Sequence, residues 1–98
     1  MKKISIIGSG YVGLVSGAGL SEFGNYVTCL DIDENKINNL KKLKIPIFEP
    51  GLENIISKNM KKGLLSFSSD VSASIKDSDI IFIAVGTPQN RDGSANIE

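Results

Sequence analysis

The chain has no histidine and a single cysteine, Cys29. Without histidine it lacks the usual proton shuttle near neutral pH and the usual nitrogen ligand for a metal, so no metal site is expected. One cysteine permits no internal disulfide, which fits a reducing cytoplasm. Cys29 lies among strand-forming apolar residues with no histidine to activate it. It reads as a small buried residue, not a nucleophile. There is no excess charge of either sign, because 11 basic residues balance 11 acidic ones. Nothing therefore steers the chain towards nucleic acid or a membrane surface. Long apolar runs are missing as well. The basic start is followed by too few apolar residues before Gly8 for a signal-peptide core, and no stretch approaches the length of a membrane span.

What the chain does have is glycine, ten in 98 residues, and an apolar share of 41%. This is one small domain with material for a core and only modest expected stability. Residues 4–7 (Ile-Ser-Ile-Ile) form a short apolar run stopped by glycine, the mark of a buried parallel strand. A helix is predicted over 11–22, with Gly13 and Gly17 on one face for close approach to a sheet. A strand follows over 26–31. Asp33 is placed to cap a second helix that carries Ile37 and Leu40 on its apolar face. Pro50 suits the first position of a third helix, with Leu52, Ile55, Ile56 and Met60 on one face and Gly63 as its stop. Residues 64–68 form a third strand, Asp70 caps a short helix with Val71 and Ile75, and 79–85 is the strongest strand pattern, apolar on both faces. The lysines at 41, 42, 44, 58, 61 and 62 fall near predicted helix ends, as solvated dipole partners. The order β-α-β-α-α-β-α-β implies an α/β fold with a parallel sheet and right-handed crossovers. Four strands, with no helix to cover the last one, are fewer than a doubly wound domain normally has. A partial, truncated sheet is expected.

Gly8-Ser9-Gly10-Tyr11-Val12-Gly13 is G-x-G-x-x-G, set between a predicted strand and a predicted helix. In a Rossmann-like unit the first glycine makes the tight turn, the second bares the backbone to a pyrophosphate, and the third lets the helix lie against the strand. The helix N-terminus then offers free N–H groups to the phosphates. Asp31 lies 18 residues past Gly13, at the end of the second predicted strand. There it can accept from the adenosine ribose and repel a 2′-phosphate, which favours NAD over NADP. Lys36 either reaches the same ribose or neutralises a phosphate. The Tyr11 side chain either covers the cofactor or packs at the domain edge. Glu49 reads as an N-cap or a loop contact.

Further segments carry a family resemblance: Leu30-Asp31-Ile32-Asp33-Glu34-Asn35-Lys36-Ile37, Ile45-Pro46-Ile47-Phe48-Glu49-Pro50-Gly51-Leu52, Val85-Gly86-Thr87-Pro88 and Asp92-Gly93-Ser94-Ala95-Asn96. With the glycine turn, and in that order, they resemble the UDP-glucose 6-dehydrogenase family over essentially the whole chain. The related GDP-mannose and UDP-N-acetylmannosamine dehydrogenases share much of the pattern, and Asp-Gly-Ser-Ala-Asn tilts it towards UDP-glucose. The family usually has a glycine where this chain has Leu43, so the resemblance implies an altered exit from the second helix. The resemblance implies oxidation of a sugar C6 alcohol to a carboxylate with two NAD. It gives the pyrophosphate to Gly8, Ser9, Gly10, Tyr11, Val12 and Gly13, and the ribose to Asp31 and Lys36. Val85, Gly86, Thr87 and Pro88 border the cofactor, beyond a strand's carboxyl end. The family's catalytic cysteine, lysine and glutamate lie past residue 98, with its substrate domain, so no catalytic residue maps onto this sequence. Residues 1–98 are then expected to be an N-terminal NAD-binding fragment, inactive alone, of a cytoplasmic homo-oligomeric parent that takes a nucleotide sugar. Two rivals stand beside this reading: a non-catalytic NAD(H)-sensing module, and a structural fragment that binds nothing, exposes apolar patches and self-associates.

Overall fold

The computed structural model describes residues 2–45 and 49–84. Its elements are β1 (Lys3–Ile7), α1 (Tyr11–Glu22), β2 (Tyr26–Leu30), α2 (Glu34–Lys41), α3 (Leu52–Lys61), β3 (Leu65–Ser68), α4 (Val71–Lys76) and β4 (Ile80–Ile83). The strands pair in parallel in the order β3-β2-β1-β4, so the chain steps outward from β1 to β3 and then crosses back to the other side of β1. That reversal beside β1 is the switch point of a doubly wound sheet, and α1 begins there. Val85, Gly86, Thr87 and Pro88 lie outside the described residues.

Alternation along the strands divides the sheet into two unlike faces. Ile4, Ile6, Val27, Cys29, Leu65 and Phe67 are buried on the side that α1 and α3 cover. Ser5, Thr28 and Ser66 point the other way, where Ser5 meets Ser74 of the short α4 and Ser78 just after it, and Thr28 meets Ser66. The core is thus one-sided, with Leu14, Ala18, Ile37, Leu40, Leu52 and Ile56 closing it. Each fully buried aliphatic side chain contributes about 1.5–3 kcal/mol.

Gly17 shows why the first helix tolerates glycine. A Cβ built there would fall 2.7 Å from Cys29 Sγ, with Ile6 and Leu65 at 3.5 and 3.6 Å. Gly17→Ala is therefore expected to destabilise by about 1–3 kcal/mol, in spite of alanine's better helix propensity. Removing the sulfur with Cys29→Ala in the same chain should recover most of the loss in a urea titration. Strictly additive effects would contradict this contact.

The structure corrects four expectations. The second strand stops at Leu30, so Asp31 stands just beyond it, although its N–H still reaches Ser68 O at 3.2 Å. Helix α3 starts at Leu52, two residues after Pro50, because Gly51 takes φ 84° as its N-cap and turns the chain first. The exit of α2 keeps a left-handed closure without glycine. Leu43 itself adopts φ 63°, Lys44 N–H bonds Asn39 O at 2.8 Å, and Leu43 N–H bonds Leu40 O at 2.9 Å. That is a Schellman motif built on leucine, its backbone strain offset by partial burial of the side chain against the core. Last, β4 is apolar on both faces yet exposed throughout, Ile83 to 72%. It forms the sheet edge among the described residues. No helix there is long and apolar enough to cross a membrane.

Candidate dinucleotide site

The site grows out of the turn between β1 and α1. Gly8 N–H extends the parallel ladder by bonding Leu30 O at 2.7 Å, and Gly8 takes φ 108°, a conformation that a side chain would strain. Gly10 is the N-cap of α1 in an extended conformation and offers no side chain to the cap. The first helical bond runs from Leu14 N–H to Gly10 O at 2.9 Å. The N–H groups of Tyr11, Val12 and Gly13 therefore have no acceptor inside the helix and carry the positive end of its dipole. Gly13 lies directly over the turn, since a Cβ there would sit 2.0 Å from Gly8 O. A Cβ at Gly10 would meet nothing within 4 Å. The two glycines thus answer different needs: Gly13 serves the fold, and Gly10 leaves bare backbone facing open space. This donor set and this space fit a pyrophosphate.

Asp31 faces the same turn. Its Oδ2 accepts from Ser9 Oγ at 2.8 Å and Ser9 N–H at 3.4 Å, and its Oδ1 accepts from Asp33 N–H at 3.0 Å. Lys36 Nζ stands 3.4 Å from Oδ2. The Asp31 side chain keeps 15% of its surface in solvent, so the carboxylate is oriented by protein donors but still reachable. Partial desolvation pushes its pKa up. The Asp33 N–H, the Ser9 hydroxyl, the Lys36 ammonium and the Ser9 N–H together outweigh that and leave it below the ordinary carboxylate range. Asp33 accepts from Lys36 N–H at 3.1 Å and is the cap of α2, which separates the roles of the two acids.

Beside Asp31 lies an apolar cleft of about 210 Å³ lined by Ile7, Gly8, Leu30, Ile32 and Val71. A flat apolar ring of adenine's size fits its chemistry. Ile32 and Val71 escaped the sequence reading. Ile32 did carry a signal: it is a large apolar residue straight after a strand-ending acid, and it is 86% exposed with no core to join. Val71 opens α4, and only the pairing of β2 with β3 brings the two together. A wider cleft of about 390 Å³ lies between the polar sheet face and α4. Its lining, which includes Lys3, Ser5, Tyr26, Thr28, Ser74 and Ser78, takes in none of the glycine-turn residues.

The remaining predicted residues divide plainly. Ser9 is fully buried and serves Asp31. Lys36 lies on Asp31. Val12 offers its N–H to the turn, but its side chain lines an apolar groove with Ser16, Leu20, Phe23 and Phe82. The Tyr11 side chain is half exposed and its hydroxyl donates to Glu49 at 2.7 Å, so Glu49 is the loop contact and not an N-cap. Burial pushes the Cys29 thiol up to about 12, which keeps it protonated and unreactive.

The model of the UDP-glucose/GDP-mannose dehydrogenase family, NAD binding domain, matches residues 2–98. UDP-glucose 6-dehydrogenase TuaD of Bacillus subtilis is 54% identical over 97 residues, which are 99% of this chain and 21% of that protein. A second B. subtilis enzyme, UDP-glucose 6-dehydrogenase YwqF, is 55% identical over 95 residues, 97% of this chain and 22% of that one. Among solved structures, a UDP-glucose dehydrogenase from Pyrobaculum islandicum superposes with a TM-score of 0.88 at 36% identity, covering 100% of this chain and 23% of the other. A GDP-mannose dehydrogenase from Pseudomonas aeruginosa, solved as a ternary complex, gives 0.87 at 40% identity over 97% and 22%. The chain spans about a fifth of the length of the curated relatives it matches.

Proposed function

The chain belongs to the UDP-glucose/GDP-mannose dehydrogenase family, matching its NAD binding domain, and from that premise we propose that it holds the ADP half of NAD on the Gly8–Gly13 turn and Asp31. The free N–H groups of Tyr11, Val12 and Gly13 take the pyrophosphate, Gly10 lets it approach, and Asp31, with Lys36 beside it, takes the ribose hydroxyls. Ile32 and Val71 flank the adenine. Bound NAD supplies the hydride acceptor; the residues of this chain bind and orient it. One observation carries the reading. A buried serine of the glycine turn, Ser9, ties the carboxylate of Asp31 at 2.8 Å beside a helix end with unused donors. The link aims the carboxylate at the turn where the donors stand.

The protein that carries this domain oxidises the C6 alcohol of UDP-glucose to a carboxylate with two NAD, on likeness to the relatives and on the Asp92-Gly93-Ser94-Ala95-Asn96 segment. We propose also that it works in the cytoplasm, a reducing compartment that its one free cysteine fits, and as a homo-oligomer. Reduction of NAD by the full-length natural protein, with UDP-glucose set against GDP-mannose, decides the sugar. A second reading has an observation of its own. The exposed apolar β4 and its groove against α1 suit a structural piece that binds nothing. Titration with NADH and with NADPH by fluorescence separates the two. NADH is expected to bind roughly 10-fold or more tighter than NADPH, whose 2′-phosphate meets the Asp31 carboxylate. Equal affinities would contradict the role of Asp31, and absence of any signal would favour the inert piece.

A further inference from the structure

The dinucleotide reading gives no task to the side chains of Tyr11 and Glu49. They meet each other. Tyr11 Oη donates to Glu49 Oε1 at 2.7 Å, across 38 residues of sequence, and the pair is exposed. Each stands at the entry to a helix. Tyr11 is the first residue of α1, and the Glu49 carbonyl accepts Leu52 N–H, the first of α3, at 3.0 Å. The two helices pack side by side on the same sheet face. The bond therefore links the starts of two neighbouring helices, one of which presents the free phosphate donors.

An exposed bond of this kind adds little to stability, because the side chains lose entropy in making it and water competes for both ends. Its effect on position is larger. A tyrosine at the first helical position, half in solvent and untethered, would sample rotamers across the mouth of the turn. Held by a carboxylate, its hydroxyl is fixed towards the entry of α3. The bond to Glu49 and that carboxylate's charge also push the phenol above its ordinary range, as expected of a hydroxyl that donates to a carboxylate.

We propose that the Tyr11–Glu49 hydrogen bond is a positioning strut of the cofactor site, fixing the tyrosine side chain and holding the first turn of α1 in place against the entry of α3. Tyr11 and Glu49 act through the geometry of the backbone donors and are positioning residues. The inference rests on the dinucleotide reading.

The test is NADH affinity and thermal melting of the full-length natural protein and its Tyr11→Phe, Glu49→Ala, Tyr11→Phe/Glu49→Ala and Glu49→Gln variants. Tyr11→Phe and Glu49→Ala should each weaken NADH binding about three- to tenfold, the range for one side chain that must be ordered on binding. The double variant should be no worse than either single one, since both remove the same contact. Glu49→Gln keeps an oxygen acceptor and should bind within about twofold of the unsubstituted protein. Melting should move by no more than about 2 °C in every case. Undiminished affinity in Tyr11→Phe, additive single effects, or a Glu49→Gln as damaged as Glu49→Ala would each overturn the strut alone. No NADH binding by the unsubstituted protein would overturn the strut and the dinucleotide reading together.

Discussion

Gly13→Ala is expected to lower the melting temperature by roughly 10–20 °C and to remove NADH binding, whereas Gly10→Ala should melt almost normally and still bind poorly. The first methyl would sit 2.0 Å from Gly8 O and 3.0 Å from Gly8 C. Both are backbone atoms that no rotamer change can move. Gly8 is itself pinned by its 2.7 Å bond to Leu30 O and by a φ of 108°. Helix α1 must therefore lift away from β1, and it carries Leu14 and Ala18 into the core as it does so. Overpacking a closed contact costs about 1–3 kcal/mol, and more when backbone must yield. This site belongs at or above the top of that range, in a domain whose whole stability is on the order of 5–15 kcal/mol. Gly10 has open space within 4 Å and φ, ψ of −78° and −162°, which any residue can adopt. Alanine there loses at most about 1 kcal/mol of N-cap preference. It does put a methyl where the pyrophosphate needs bare backbone, so NADH affinity should fall about 10-fold or more. Thermal melting and NADH titration of the two variants check both halves. A Gly10→Ala protein that binds NADH normally would remove the reason for placing phosphates at this turn.

The contrast between these glycines bears on what a sequence discloses. The order of strands and helices was legible because its signals are local: Asp33 three residues before the Lys36 N–H that it accepts from, Asp70 likewise before Ala73, Gly63 at a left-handed helix exit. The apolar period of α3 read correctly for the same reason. Its start did not, because Gly51 and Pro50 are both plausible openings and only the backbone conformation chooses between them. Leu43 shows the limit from the other side. The helix exit demands a left-handed residue, and the chain met that demand with a leucine against its own preference. The apolar run of β4 signals a strand but says nothing of its neighbours, and sheet order leaves it at the edge among the described residues. In the candidate site, the glycine turn and Asp31 were legible as a spaced motif. The Ser9–Asp31 link, the Ile32 and Val71 cleft and the Tyr11–Glu49 bond were not, since each joins residues that only the parallel pairing or the packing of α1 on α3 brings together.

The second large effect should come from Asp31. Asp31→Asn is expected to weaken NADH binding roughly 10- to 100-fold and to bring NADH and NADPH affinities close together, with folding little changed. An amide still has an oxygen for the Ser9 hydroxyl or the Asp33 N–H, so the turn stays tied. It has lost the charge that makes hydrogen bonds from ribose hydroxyls strong, and the charge that repels a 2′-phosphate. Lys36, now 3.4 Å from a carboxylate oxygen, would be left with its ammonium free to meet that phosphate. Asp31→Ala should lose the same affinity and stability besides, because the buried Ser9 hydroxyl then has no carboxylate to donate to. Desolvation of Asp31 acts to raise its pKa, and the donors around it reverse the sign to a net lowering. A carboxylate whose folded pKa lies below its unfolded value stabilises the fold fully above that unfolded value, near 3.9, and loses its contribution as pH falls through the folded one. The stability difference between the natural protein and Asp31→Asn should therefore be level above about pH 5 and shrink only in stronger acid. Denaturant titrations across that range, run beside NADH and NADPH binding, read both consequences of one charge. A substituted protein that still prefers NADH as strongly as before would mean the ribose is read by some other group, and that the hydroxyl of Ser9 holds Asp31 for the sake of the turn alone.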